Sequence, residues 1–216
     1  MNITLENHQL AFKFPFGISG NIRTHTPVVY VRVEKNNLIG YGEAALPPYL
    51  GETQESVHSF FNSIKKELET IPNTEDAISV LHTNYKHNSA AKAGIDLALH
   101  DLLGKEKNIS TRKIYSISDA SAKSCTHTIA IGELNLLEQK ISEAEEYKIL
   151  KVKLGTEDDK KIIQQIRHYT DKPLLLDINR GWKSEEKVLE MLEWLSDKNI
   201  ELIEQPMPVE CKKEME

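Results

Sequence analysis

Two cysteines, Cys125 and Cys211, are all the thiols in this 216-residue chain. They are too few and too far apart for a disulfide framework or a metal knuckle, so a reduced, cytoplasmic protein is expected. No apolar run reaches the ~18 residues of a membrane-spanning helix, which argues against a membrane partner. Met1-Asn2-Ile3-Thr4 lacks a basic segment followed by a long apolar one, so no signal peptide is evident. Positive charge is also short. Against 33 Asp and Glu stand 27 Lys and Arg, a net charge of −6 with no basic stripe, which argues against a nucleic-acid partner. Low-complexity tracts and short-period repeats are missing. What remains is 39% hydrophobic, enough for the core of one large or two small domains rather than a disordered chain.

The N-terminal part reads as strands over residues 2–14 and 26–43. In the second, Val28-Val29-Tyr30-Val31-Arg32-Val33 is separated by Glu34-Lys35-Asn36-Asn37 from a returning Leu38-Ile39-Gly40-Tyr41-Gly42-Glu43. Between them, residues 16–26 hold two glycines, a serine and an asparagine, and read as a loop. Three helices follow over 53–69, 74–83 and 88–104, with Ser89 as the cap of the third. From residue 124 the rhythm becomes β-α-β-α. Strands are expected over 125–131, 149–154, 173–178 and 200–204, with helices over 134–147, 157–169 and 184–197. Such alternation implies a parallel sheet. The fold class is an α+β capping domain, residues 1–120, followed by a partial (β/α) TIM-type barrel with about four strands, residues 121–216.

Three charged residues close three successive strands, one βα unit apart: Lys153, Asp177 and Glu204. In a parallel β/α array they share the C-terminal rim, where barrels carry their chemistry. Lys151 lies on the same strand face as Lys153. Two ammonium groups so close weaken each other's charge, and partial burial adds to this. A lysine so placed is neutral often enough to act as a base. A solubilising edge strand would show the same Lys-Val-Lys, and Asp177 alone could cap a turn. Asn179 follows Asp177 on the same face if the strand continues. Together the carboxylates suit Mg²⁺. A metal stabilising an enediolate beside a lysine suits proton abstraction next to a carboxylate.

Six segments, in order, carry a resemblance to a known family: Tyr41-Gly42-Glu43-Ala44, Tyr49-Leu50-Gly51-Glu52-Thr53, the small-residue helix from Ala90 to Gly104, Lys151-Val152-Lys153-Leu154-Gly155, Asp177-Ile178-Asn179-Arg180-Gly181-Trp182 and Glu201-Leu202-Ile203-Glu204-Gln205-Pro206. The chain resembles the enolase superfamily, its muconate-lactonising subgroup, and within it the dipeptide epimerases of the Ala-Glu type. The resemblance implies an isomerase acting by 1,1-proton transfer. Lys153 would be the catalytic base and Lys151 its companion, Asp177 and Glu204 Mg²⁺ ligands, and Asn179 a neighbouring site residue. Residues 16–26 would form the flap over the barrel mouth, with Arg23 as partner of the substrate's acidic side chain. Thr128, in the first barrel strand, is a further candidate for lining the site. The substrate would be a dipeptide.

Two departures stand out. Arg180 occupies a position where relatives often have a neutral residue, and a complete barrel needs ~250 residues. A third metal ligand on the fifth strand and a lysine on the sixth would lie beyond this chain, which is therefore expected not to epimerise by itself. Muconate cycloisomerase and o-succinylbenzoate synthase share the lysines and the metal site and stand as alternatives, although the Arg23 flap favours dipeptides. A reading of another class is a non-catalytic, truncated binding or assembly module. Half a barrel leaves unpaired strand edges, which invites pairing into a homo-oligomer.

Overall fold

The computed structural model describes residues 1–18, 21–117, 124–130, 132 and 134–211. They form two compact units. One combines Met1–Ala11 with His25–Ser121, the other Phe12–Thr24 with Ala122–Glu216.

A three-stranded sheet runs in the order β1 (Asn2–Ile18), β2 (Asn21–Lys35), β3 (Leu38–Ala45); all of β3 and the larger parts of β1 and β2 belong to the first unit, while Phe12–Ile18 and Asn21–Thr24 group with the second. Strands β2 and β3 are antiparallel, with Lys35 opposite Leu38. The turn is only Asn36-Asn37, both at positive φ (50° and 64°). Asparagine tolerates that conformation, and the resulting twist suits a tight hairpin. The sheet overturns one expectation. Residues 16–18 and 21–26 are strand, not loop. The alternation Phe12-x-Phe14-x-Phe16 continues the period of two, and that pattern outweighs the local glycines.

Helices α1 (Gln54–Thr70), α2 (Thr74–Asn84), α3 (Ser89–Lys107) and the short α4 (Thr111–Ile114) complete this unit. Thr53 and Ser56 cap α1 reciprocally, each backbone N–H donating to the other's hydroxyl (2.9 and 3.2 Å). The expected Ser89 cap of α3 is not found, because Ser89 is already helical. Glu52 supplies the cap from a distance: its carboxylate accepts from Ala90 N (2.9 Å) and Ala91 N (3.3 Å). Val31 and Val33 of the sheet pack with Phe61, Ile64, Leu81, Ile95, Leu99 and Leu102 of the helices. The small residues of α3 allow its backbone onto β3. A Cβ on Gly42 would fall 2.0 Å from Gly94 O.

The second unit runs β4 (Thr126–Ile129), α5 (Leu137–Glu143), β5 (Ile149–Lys153), α6 (Asp159–Tyr169), β6 (Leu174–Asp177), α7 (Glu185–Leu195), β7 (Ile200–Glu204). The strands are parallel and lie side by side in chain order. Helix α5 is shorter than expected, preceded by a 3₁₀ turn at Leu134–Leu136 and ended where Ala144 N donates to Ile141 O. One sheet face, with Ile129, Leu150, Val152, Leu174 and Leu176, packs on Ile141, Ile163, Ile166, Met191 and Leu195 of the helices. Strand alternation sends Thr128, Lys151, Lys153, Asp177 and Glu204 to the other face. This is four strands' worth of a β/α barrel, with the charged residues at the strands' C-terminal ends.

Candidate active site

Register assembles the site. Lys153 on β5 is the partner of Asp177 on β6, and Asp177 is the partner of Glu204 on β7. The second pairing depends on an irregularity. Leu174 faces Ile200, but Leu175 faces Leu202, so β7 carries one extra residue there. A one-residue slip turns every later side chain to the opposite face. The bulge therefore puts Glu204, rather than Ile203, beside Asp177.

Four of the sequence candidates meet in one ion-pair cluster. Lys153 Nζ lies 2.5 Å from Asp177 Oδ2, and Lys151 Nζ lies 3.0 Å from that oxygen and 2.5 Å from Glu204 Oε2. Asp177 is buried, whereas Glu204 is more open. Burial works against the Lys151 ammonium. The hydrogen bonds and charges of Glu204 and Asp177 outweigh it, and the Lys151 pKa rises above the ordinary lysine value. Burial also works against the Asp177 carboxylate, but Lys153 and Lys151 outweigh it and hold its pKa below the usual range. The expectation that the two ammonium groups weaken each other's charge thus fails for Lys151. The carboxylates stand close enough to compensate both cations.

Thr128 is the register partner of Lys151 and belongs to the same face. Asn179 lies just past β6 at φ 49°, with its backbone N donating to Asp177 Oδ1 (3.2 Å). Its side-chain Oδ1 is buried with no hydrogen-bond partner among the described residues. Arg180 is exposed, also at positive φ, and its N donates to Gln205 O (2.8 Å). Arg23 on β2 groups with the β/α unit but makes no hydrogen bond or ion pair with the lysine–carboxylate cluster among the described residues. Its guanidinium sits over the Phe12 ring, 5.6 Å from the centroid, and its Nη1 is buried without a partner among the described residues.

The loops bearing these groups are locked together. Gly155, after β5, has φ 98°, and a Cβ there would lie 2.2 Å from Ile178 O. A Cβ on Gly181 would lie 2.2 Å from the Gly155 Cα, so the two loops touch backbone to backbone. Asp159 ties them further, accepting from Gly155 N (3.0 Å), Thr156 N (2.8 Å) and Trp182 Nε1 (2.8 Å). The spacing of the Lys-x-Lys-Leu-Gly and Asp-x-Asn-x-Gly-Trp segments is thus a packing requirement that holds Lys153 and Asp177 in place. Sequence reasoning missed Asp159 and the β7 bulge. An acidic residue three positions after Thr156 was a visible N-terminal signal, whereas the bulge has no sequence signature.

Asp177 and Glu204 converge on one cation, the Lys151 ammonium, and hard carboxylate oxygens of this kind suit Mg²⁺. The donor set is sparse. No group of three or more His, Cys, Asp or Glu side chains is arranged for a metal among the described residues.

Comparisons with known proteins fit this geometry. An L-Ala-D/L-Glu epimerase of Bacteroides thetaiotaomicron is 41% identical over 212 residues, which is 97% of this chain and 55% of that protein. An enolase family member from Agrobacterium tumefaciens with homology to dipeptide epimerases, solved with sodium and L-Ala-L-Glu, is 25% identical. It superimposes with a TM-score of 0.81, covering 95% of this chain and 62% of that one. A dipeptide epimerase from Cytophaga hutchinsonii, complexed with Mg and D-Ala-L-Val, is also 25% identical, with a TM-score of 0.76 over 95% of this chain and 58% of that one. The chain spans little more than half the length of the curated relative. No helix among the described residues is long and apolar enough to cross a membrane. Residues 135–215 match the enolase C-terminal domain-like family model. Residues 1–114 match that for the N-terminal domain of mandelate racemase / muconate lactonizing enzyme, the family to which this chain belongs.

Proposed function

We propose that the chain carries the capping domain (residues 1–120) and the first part of the barrel (residues 121–216) of a Mg²⁺-dependent dipeptide epimerase acting on an Ala-Glu-type substrate. The observation that carries this reading is the cluster of Lys151, Lys153, Asp177 and Glu204 on one face at the strands' C-terminal ends. The 41% identity to an L-Ala-D/L-Glu epimerase supports it.

In this reading Asp177 and Glu204 hold Mg²⁺, with Asn179 beside them. Bound there, the ion supplies positive charge that favours loss of a proton next to a carboxylate. Lys153 Nζ would take that proton on one face of the dipeptide, and inversion would need a proton delivered to the opposite face by a second group, the lysine that the family resemblance places beyond this chain. Lys151, two residues earlier on the same face, contacts the substrate carboxylate or tunes Lys153. Thr128 lines the adjoining wall. Arg23, whose Nη1 is buried with no partner among the described residues, pairs with an acidic side chain, since a buried donor is costly without an acceptor.

The test is a hybrid in which residues 1–211 are followed by the remaining segment of the Bacteroides relative. With Mg²⁺, the hybrid should interconvert L-Ala-L-Glu and L-Ala-D-Glu, and Lys153→Ala should abolish this. Muconate cycloisomerisation or o-succinylbenzoate synthesis without dipeptide turnover would overturn the substrate class. Full activity in the Lys153→Ala hybrid would overturn the assignment of the base.

A further inference from the structure

Helix α5 carries a lysine that the proposed chemistry does not use. Lys140 is only 4% exposed. Among the described residues its Nζ donates one long hydrogen bond, 3.4 Å, to Ala130 O just past β4, and it lies where a Cβ on Gly132 would come within 3.2 Å. Burial pushes its ammonium pKa below the ordinary lysine value. An apolar residue would fill this space at less cost, so the cation must be compensated nearby. Among the described residues the compensation is aromatic. Lys140 Nζ lies 5.6 Å from the centroid of Phe14, on the outer half of β1.

A second contact joins the same two elements. One turn along α5, Glu143 Oε2 accepts from Lys13 Nζ at 2.7 Å. Lys13 and Phe14 are neighbours on β1, so adjacent residues of one strand meet residues 140 and 143 of one helix. Phe12, Phe14 and Phe16 share a strand face. The Phe12 and Phe16 rings stand 5.8 Å apart, and the Arg23 guanidinium rests on Phe12 at 5.6 Å. The link from α5 to Arg23 therefore passes from Lys140 and Glu143 to Phe14 and Lys13, along the β1 backbone to Phe12, and from the Phe12 ring to the Arg23 guanidinium. It also accounts for Phe12–Thr24 grouping with the β/α unit rather than with the rest of its own strands.

We propose that Lys140 and Glu143 clasp the outer part of β1 onto α5 through Phe14 and Lys13, and so hold in place the strand segment that carries Phe12, on which the Arg23 guanidinium rests. The consequence for Arg23 matters to substrate binding only under the reading proposed above. The clasp itself does not depend on that reading.

Hydrogen exchange on the 216-residue chain separates the two. In Lys140→Met and in Phe14→Leu, the backbone amides of Phe12, Lys13, Phe14 and Phe16 should exchange about three- to tenfold faster than in the unmodified chain. Combining the two changes should add little, since they break the same contact. Lys140→Arg keeps a cation over the ring and should restore slow exchange. Glu143→Gln should accelerate the same amides, and added salt should mimic that change because the Lys13–Glu143 pair is partly exposed. Protection in β5, β6 and α6 should not move. Unchanged rates at the β1 amides, purely additive effects in the double variant, or equal acceleration throughout β5, β6 and α6 would each overturn the clasp. If the clasp stands and the hybrid enzyme shows no dipeptide turnover, the dipeptide reading falls and the clasp survives.

Discussion

Lys153 and Asp177 are register partners on adjacent parallel strands, and the Lys153 ammonium meets Asp177 Oδ2 at 2.5 Å. The same oxygen also takes Lys151 at 3.0 Å. One carboxylate, with its side chain 3% exposed, thus offsets two ammonium groups that are 14% and 23% exposed. Asp177→Asn preserves shape and removes the charge, which leaves the Lys153 ammonium without its carboxylate and Lys151 with Glu204 alone. The expected cost is about 2–4 kcal/mol of unfolding free energy, read as a lower urea midpoint with an unchanged slope. Lys153→Met should cost less, because Lys151 still pairs with Asp177.

Metal addition should act through the same oxygens. A ligand that binds only the folded chain stabilises it by RT ln(1 + [L]/Kd), about 1.4 kcal/mol at ten times Kd. Under the proposed function, Mg²⁺ competes with Lys151 for Asp177 and Glu204. The thermal midpoint should therefore rise with Mg²⁺ at millimolar concentration in the unmodified chain and stay flat in Asp177→Asn. An equal rise in both would place any binding elsewhere.

The β/α rhythm and the row of Lys153, Asp177 and Glu204 were legible in the sequence because strands of four or five residues ending in a charge alternate with amphipathic helices. Face assignments there follow from period two and need no tertiary knowledge. Three features were not legible. The bulge that aligns Glu204 with Asp177 has no glycine or proline to mark it. The cap of α3 comes from Glu52, too far along the chain for a local rule that looks one residue back. Residues 16–26 carry loop-like composition, yet residues 16–18 extend β1 and residues 21–26 extend β2, because β1 presents aromatic residues on one face. The two lysines were legible as neighbours but not as a compensated pair, since charge balance depends on where Glu204 arrives.

The contact between Gly155 and Gly181 makes a sharp test of what holds the site loops. A Cβ on Gly181 would meet the Gly155 Cα at 2.2 Å, backbone against backbone, with no flexible side chain to yield. Gly181→Ala should destabilise by about 2–3 kcal/mol. Trp182→Phe removes the Nε1–H donated to Asp159 Oδ2 at 2.8 Å and leaves space where the five-membered ring stood in the core. Asp159 retains its bonds from Gly155 and Thr156, so the lost hydrogen bond should cost about 1 kcal/mol and the space left about as much again. A calorimetric scan should place both variants below the unmodified chain, and an unchanged midpoint in Gly181→Ala would mean that the glycine contact does not join the loops.

Tyr85 predicts the alkaline behaviour of the capping domain. Its hydroxyl donates to Glu67 Oε2, and its ring stands edge-on to Phe60 at 5.8 Å. The hydrogen bond to Glu67, burial and the negative charge of Glu67 together raise the phenol pKa from 10.0 to about 12. Between those values the folded chain keeps a proton that the unfolded chain has lost. Unfolding then releases a proton, and stability must fall as pH rises through that window. The contribution is full below pH 10 and gone above the folded value. Tyr85→Phe removes the titrating group. Its urea midpoint should therefore decline less steeply than that of the unmodified chain over the same interval. In an ultraviolet titration of the seven tyrosines, the latest-ionising phenol should be missing from the variant. A variant that keeps both the late phenol and the full alkaline decline would show that Glu67 does not hold the Tyr85 proton.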